Sequence, residues 1–70
     1  MITNAQIEIL SLALVYEGPL DENYDQHITK LQNLADADYR TVIDRTCEIF
    51  NANAMNFFIT PDDVENLVQS

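Results

Sequence analysis

The side chains able to do chemistry near neutral pH are few in this chain: His27, Cys47, Ser11, Ser70, and twelve carboxylates set against three Lys and Arg. Histidine is the usual general base at that pH. No serine or cysteine stands beside His27 in sequence to serve as its nucleophile. Cys47 falls on an apolar helical stripe, where a free cysteine acts as a small hydrophobe. A zinc site needs about four ligands, which a single cysteine and a single histidine cannot nucleate. The lone cysteine also excludes an internal disulfide and suits a reducing, cytoplasmic setting. Paired carboxylates can do acid–base work, but a helical chain of 70 residues rarely offers a pocket of even ~300 Å³. The expectation is a non-enzymatic protein with no cofactor and no metal.

One stretch needs separate treatment. Asp21, Asn23 and Asp25 place oxygen side chains at positions 1, 3 and 5 of a twelve-residue run ending at Gln32, with Ile28 at position 8. In outline this resembles the calcium loop of an EF-hand. It departs from that loop at Gln26, where a glycine allows the sharp turn, and at Gln32, where a glutamate gives bidentate ligation. The same residues make a capped helix, which is the preferred reading. An acidic carrier protein is excluded on other grounds, since its prosthetic arm needs an exposed serine in an Asp-Ser-Leu setting. Here Ser11 lies inside an apolar helix and Ser70 is the last residue.

The net charge of -9 disfavours direct contact with nucleic acid or an anionic membrane and favours basic surfaces. The most apolar run, Ile7 to Tyr16, follows no basic segment, contains Glu8, and is half the ~20 residues that a membrane span requires. The chain therefore reads as soluble and unexported. An apolar share of 47% is too high for a disordered acidic tail. A chain this short folds as one domain, residues 1–70, and with a thin margin.

The elements follow from spacing. Thr3 with Gln6 fits a capping box, and Glu17-Gly18-Pro19 is a stop, so a first helix spans the apolar run. Being apolar on most sides, that helix is expected at the centre of the fold, covered by the others. Asp21 offers an N-cap to a second helix, Asp21 to about Leu34, with Tyr24, Ile28, Leu31 and Leu34 on one stripe. Ala35 to Asp38 forms a joint. A third helix carries Tyr39, Val42, Ile43, Thr46, Cys47 and Phe50 on its apolar face and frays at Asn51, Asn53 and Asn56. Arg40 has Asp36 and Asp44 four residues away, and Arg45 has Glu48 three away, spacings that give weak surface pairs. Met55 to Ile59 reads as a helical turn or an extended connector with its phenylalanines buried. Thr60, Pro61 and Asp63 open a last helix to Gln69, with Ile59 and Val64 as a hydrophobic staple. It applies Val64, Leu67 and Val68 to the core. The fold class is all-α, a bundle of three to four short helices.

What remains is surface recognition. Acids gather at the first joint (Glu17, Asp21, Glu22, Asp25), at the second (Asp36, Asp38), and at Asp62, Asp63 and Glu65. Acids at helix N-termini complement the dipole, and a charged surface aids solubility. Neither requires a charge of -9, which costs self-repulsion. The expected function is binding to a basic protein partner through Glu17, Asp21, Glu22, Asp25, Asp36 and Asp38. In its sharpest form these acids stand in for phosphates and occupy a partner's nucleic-acid-binding surface. In size and charge alone the chain resembles the small acidic inhibitors that phages deploy against DNA-binding proteins. The alternative is an accessory subunit or homo-oligomer docking through Met55, Phe57, Phe58 and Tyr24, with the charge serving solubility.

Overall fold

The computed structural model describes residues 2–17 and 21–69. Four helices follow in order: α1 Asn4–Tyr16, α2 Tyr24–Gln32, α3 Asp36–Asn53 and α4 Pro61–Gln69. There is no strand among the described residues, so the all-α expectation holds. The radius of gyration is 11.4 Å, against about 11 Å for a compact chain of this length.

Helix α1 begins as its capping box dictates: the Gln6 N–H donates to Thr3 Oγ1 at 3.2 Å, and the Thr3 N–H donates to Gln6 Oε1 at 3.1 Å. It ends on Glu17, whose backbone is extended. The expected stop at Gly18 and Pro19 lies outside the described residues.

The central element is α3, not α1. Helix α3 packs against all three other helices and supplies Val42 and Ile43, both wholly buried, to the core. Around them close Leu10 and Leu14 of α1, Leu31 of α2, and Val64 and Val68 of α4. The reason α1 is displaced from the centre lies in its two polar positions. Ser11 Oγ donates to the Val42 carbonyl at 3.4 Å, and Glu8 accepts from Arg45. Both polar side chains therefore face α3. From Glu8 to Ser11 the partner falls from Arg45 to Val42, so the two helices run antiparallel. With that face committed inward, the opposite one carries Ile9, Leu12 and Tyr16 at 57%, 41% and 71% exposure.

Helix α2 starts three residues later than Asp21 predicts. The Asp21 carboxylate accepts the Asn23 N–H at 2.8 Å, and the Asp21 carbonyl accepts the Tyr24 N–H at 3.1 Å. These bonds close a turn ahead of the helix, the local competition that Asp side chains set up. The joint expected at Ala35 to Asp38 is shorter, because Ala35 is the N-cap and Asp36 and Asp38 already occupy the first turn of α3. There their charge suits the helix dipole.

Asn51 and Asn53 stay within α3, which ends at Asn53, and Asn56 lies beyond it. Asn53 Nδ2 donates to the Ile49 carbonyl at 3.0 Å, one turn back. Asn51 reaches across to the connector, accepting the Ile59 N–H at 2.8 Å and donating to the Ile59 carbonyl at 2.9 Å. The Cys47 thiol donates to the same carbonyl at 3.1 Å. Side-chain amides thus satisfy both backbone groups of Ile59, as a neighbouring strand would. This pins an extended connector ahead of α4, whose own box pairs Thr60 with Asp63 in both directions. Arg40 with Glu65 and Asn51 with Ile59 make α3 and α4 antiparallel.

Three burial expectations fail on the connector and α4. Phe57 and Phe58 are 63% and 73% exposed and Leu67 is 44% exposed, and Met55, for which no burial was expected, is 96% exposed. Pinning at Ile59 turns that one side chain toward the core cluster and leaves those before it outside. Phe57 packs only its ring on Phe50, 5.8 Å between centroids.

Candidate functional site

The six acids expected to bind a partner are not one patch. Glu17 caps the end of α1, and its Oε1 lies 2.9 Å from His27 Nδ1 of α2. Both side chains are three-quarters covered, so this pair ties α1 to α2 rather than facing a partner freely. Asp21, Glu22 and Asp25 are exposed on the turn and first residues of α2. Asp36 is exposed and Asp38 half-buried past its far end. Nine helical residues separate the two groups by about 14 Å along the axis. Asp21, Glu22 and Asp25 stand on the turn and first residues of α2, and Asp36 lies beside Gln32 and Gln69 instead.

The arginines are spent elsewhere, while Lys30 of α2 makes no ion pair among the described residues and lines the same depression as Asp25. Arg45 bridges helices, donating from Nε to Glu8 Oε1 at 2.5 Å and from Nη2 to Glu8 Oε2 at 3.3 Å, with Glu48 as a third contact. The Glu8 hydrogen bonds hold its guanidinium above its ordinary pKa, burial opposes them, and Glu48 adds to the rise. Arg40 pairs with Glu65 of α4 at 3.4 Å, not with Asp36 or Asp44. Tertiary packing overrides the i,i+4 spacing here, because α4 brings a carboxylate to the same end of α3.

Four acids, Glu8, Glu17, Glu48 and Glu65, are therefore in ion pairs. The other eight of the twelve have no ion-pair partner among the described residues, and seven of those eight are aspartates. Asp44, set aside in the sequence as a partner for Arg40, belongs with them. Two unscreened carboxylates about 6 Å apart in water repel by about 0.7 kcal/mol. Asp21, Glu22 and Asp25 thus form a local field that a cation would relieve.

The side chains weighed for catalysis and metal binding make contacts within the fold. His27 is engaged by Glu17, and Cys47 Sγ faces the Ile59 carbonyl. Residues Tyr24–Gln32 of the calcium-like run are helix, so its oxygen side chains do not wrap a common centre. Among the described residues no three His, Cys, Asp or Glu are placed to hold a metal ion. No helix of the described residues is long and apolar enough to cross a membrane. The expectation of no hollow near ~300 Å³ is wrong. An open depression of about 660 Å³ lies along Asp25, Thr29 and Lys30 of α2, and an apolar groove of about 290 Å³ lies between Leu14, Phe50 and Leu67. The first is the outer surface of α2 and the residues after it, and the second is a gap between α1, α3 and α4.

Comparison with protein-family models, with curated proteins and with solved structures returned no match for this chain.

Proposed function

We propose that the chain is a small non-enzymatic binding module that engages a basic protein partner through the exposed acids of the α1–α2 joint, Asp21, Glu22 and Asp25. The observation that supports this is the division of charge. The arginines and His27 are committed to internal pairs, while eight carboxylates have no ion-pair partner among the described residues. A surface so divided attracts cations and repels other acidic proteins. In the sharper form of the reading, the partner's basic surface is one that binds nucleic acid, and this chain competes for it. The free thiol of Cys47 suits a reducing, cytoplasmic setting.

The test is capture of partners on tagged protein from nuclease-treated host lysate, eluted in salt steps, beside a variant carrying Asp21→Lys, Glu22→Lys and Asp25→Lys. The reading expects a basic protein that leaves as salt rises and is not retained by the variant. Retention by the variant sinks it. A second reading, docking through the connector, is favoured by the exposure of Met55, Phe57 and Phe58; Tyr24, half-buried on α2, does not join them. That reading expects salt-resistant capture lost on Phe57→Ser with Phe58→Ser.

A further inference from the structure

Four surface hollows are lined by acid: the open depression along α2 by Asp25, the groove at α4 by Asp63, the hollow beside Arg45 by Glu8, Asp44 and Glu48, and the one beside Tyr39 by Asp36. A hollow of about 450 Å³ between α1 and α2 is lined by none. Ile2, Ile9, Leu10 and Leu34 form its apolar wall. Leu10 belongs to the core cluster and Ile9 is exposed, so apolar surface runs along this wall from the core out to water. Its polar members are Gln6, His27 and Lys30.

The charges around the hollow select what it can hold. Lys30 makes no ion pair among the described residues, although eight carboxylates are unpaired as well. Asp25 lines the neighbouring depression with it and still does not pair with it. A lysine in the last turn of α2 complements the helix dipole. That accounts for its place in the sequence but not for a wall kept free of acid. The His27 ring is held by Glu17 at Nδ1, 2.9 Å away, and Glu17 itself does not line the hollow. Gln6 gives its Oε1 to the Thr3 N–H, which leaves its amide N–H groups as donors. An ammonium and an amide beside a continuous apolar wall are complementary to an anion that carries an apolar chain. A charge-assisted hydrogen bond fixes the head, and the wall takes the chain. A cationic ligand would meet Lys30 instead, so this is not the surface offered to a basic partner.

We infer that the hollow between α1 and α2 binds a free fatty acid of medium chain length, with its carboxylate on Lys30 and its chain along Ile9, Leu10 and Leu34. The volume of about 450 Å³ falls within the range of about 300 to 1,000 Å³ of small-molecule sites. The inference rests on this wall and its cation, not on Asp21, Glu22 and Asp25, so either reading can fail without the other.

The experiment titrates isotopically labelled protein with octanoate and follows the amide shifts by NMR. Octanoate is kept below the concentration at which it aggregates, in moderate salt that screens the distant carboxylates. The expected result is saturable binding with shifts concentrated at Ile9, Leu10, Lys30 and Leu34. Affinity should rise up to about fourfold for each methylene added from butanoate to octanoate. Lys30→Gln should weaken binding about tenfold or more, and Lys30→Arg should keep most of it. Octylamine, with the same chain and the opposite charge, should bind more weakly than octanoate. The Asp21→Lys, Glu22→Lys, Asp25→Lys variant should still bind octanoate at this site. The inference is overturned by titration without saturation, by shifts centred on the groove between Leu14, Phe50 and Leu67, or by affinity that does not change with chain length. Octylamine binding as tightly as octanoate, equal affinity in the natural chain and Lys30→Gln, or loss of octanoate binding in the triple variant would overturn it as well.

Discussion

Removing the Asn51 side chain tests how the second half of the chain is held. Asn51→Ala deletes two hydrogen bonds to Ile59, of 2.8 and 2.9 Å. Each is worth about 1 kcal/mol net, and a half-buried N–H left without its acceptor adds to the loss. The Ile59 carbonyl keeps the Cys47 thiol, which limits the damage to the N–H side. Alanine returns up to about 0.7 kcal/mol of helix propensity. The net expectation is destabilisation by about 2 kcal/mol, or a fall in Tm of roughly 8 to 16 °C for a domain of this size. Urea unfolding followed by far-UV circular dichroism measures the first quantity, and amide exchange at Ile59 should accelerate in step. Asn51→Asp separates the two bonds. It keeps the acceptor for the Ile59 N–H but sets a carboxylate against the Ile59 carbonyl, and a proton on that carboxyl restores the donor. Its deficit relative to the natural chain should therefore shrink as pH falls. If Asn51→Ala lies within about 0.5 kcal/mol of the natural chain, below the worth of one such bond, the connector is not held by this amide and the account of residues 51–60 is wrong.

Four further outcomes are expected. Ser11 sits wholly buried where α1 meets α3, so Ser11→Ala should cost under about 1 kcal/mol, whereas Ser11→Leu should cost about 1–3 kcal/mol by overpacking; equal effects in urea unfolding would refute the close contact. The Tyr39 hydroxyl oxygen is buried with no hydrogen-bond partner among the described residues, so Tyr39→Phe should match or exceed natural stability, and a clear loss would mean the hydroxyl is bonded. Moderate salt should raise Tm, because unpaired carboxylates outnumber the ion pairs and screening relieves their repulsion; a falling Tm would show the reverse balance. The raised Arg45 pKa gives stability that is fully present below the unfolded guanidinium value and lost only as pH climbs through the folded one. The difference between the natural chain and Arg45→Gln should therefore stay flat from roughly pH 6 to 9, and a slope there would assign it to another group.

The helices were legible where local chemistry decides. Thr3 with Gln6 and Thr60 with Asp63 both close the boxes their spacing predicts, because a capping box is complete within four residues. The stripe of α3 was legible for the same reason: one face of a long amphipathic helix repeats often enough to be read. Which helix lies at the centre was not. Ile7 to Tyr16 is more apolar than α3, yet Ser11 and Glu8 choose the face that meets α3, and their partners Val42 and Arg45 are more than thirty residues away. Asn51 misled for a similar cause. Its usual competition with the helix backbone is real, but a connector eight residues on supplied better partners. In the candidate site, Asp21, Glu22 and Asp25 could be grouped from sequence because one turn holds them. That Glu17 faces His27 and that Asp36 and Asp38 lie at the far end of α2 depends on how the helices pack.

The central claim is that the partner is basic and is met by the acids of the α1–α2 joint. Its most direct test is the affinity of the captured partner for this chain, measured by isothermal titration from low to high salt with the natural chain and with the Asp21→Lys, Glu22→Lys, Asp25→Lys variant. A steep fall of affinity with salt, together with loss of binding in the variant, is the expected result. Affinity that salt does not change, or that survives the three reversals, would contradict the claim and assign binding to apolar contacts.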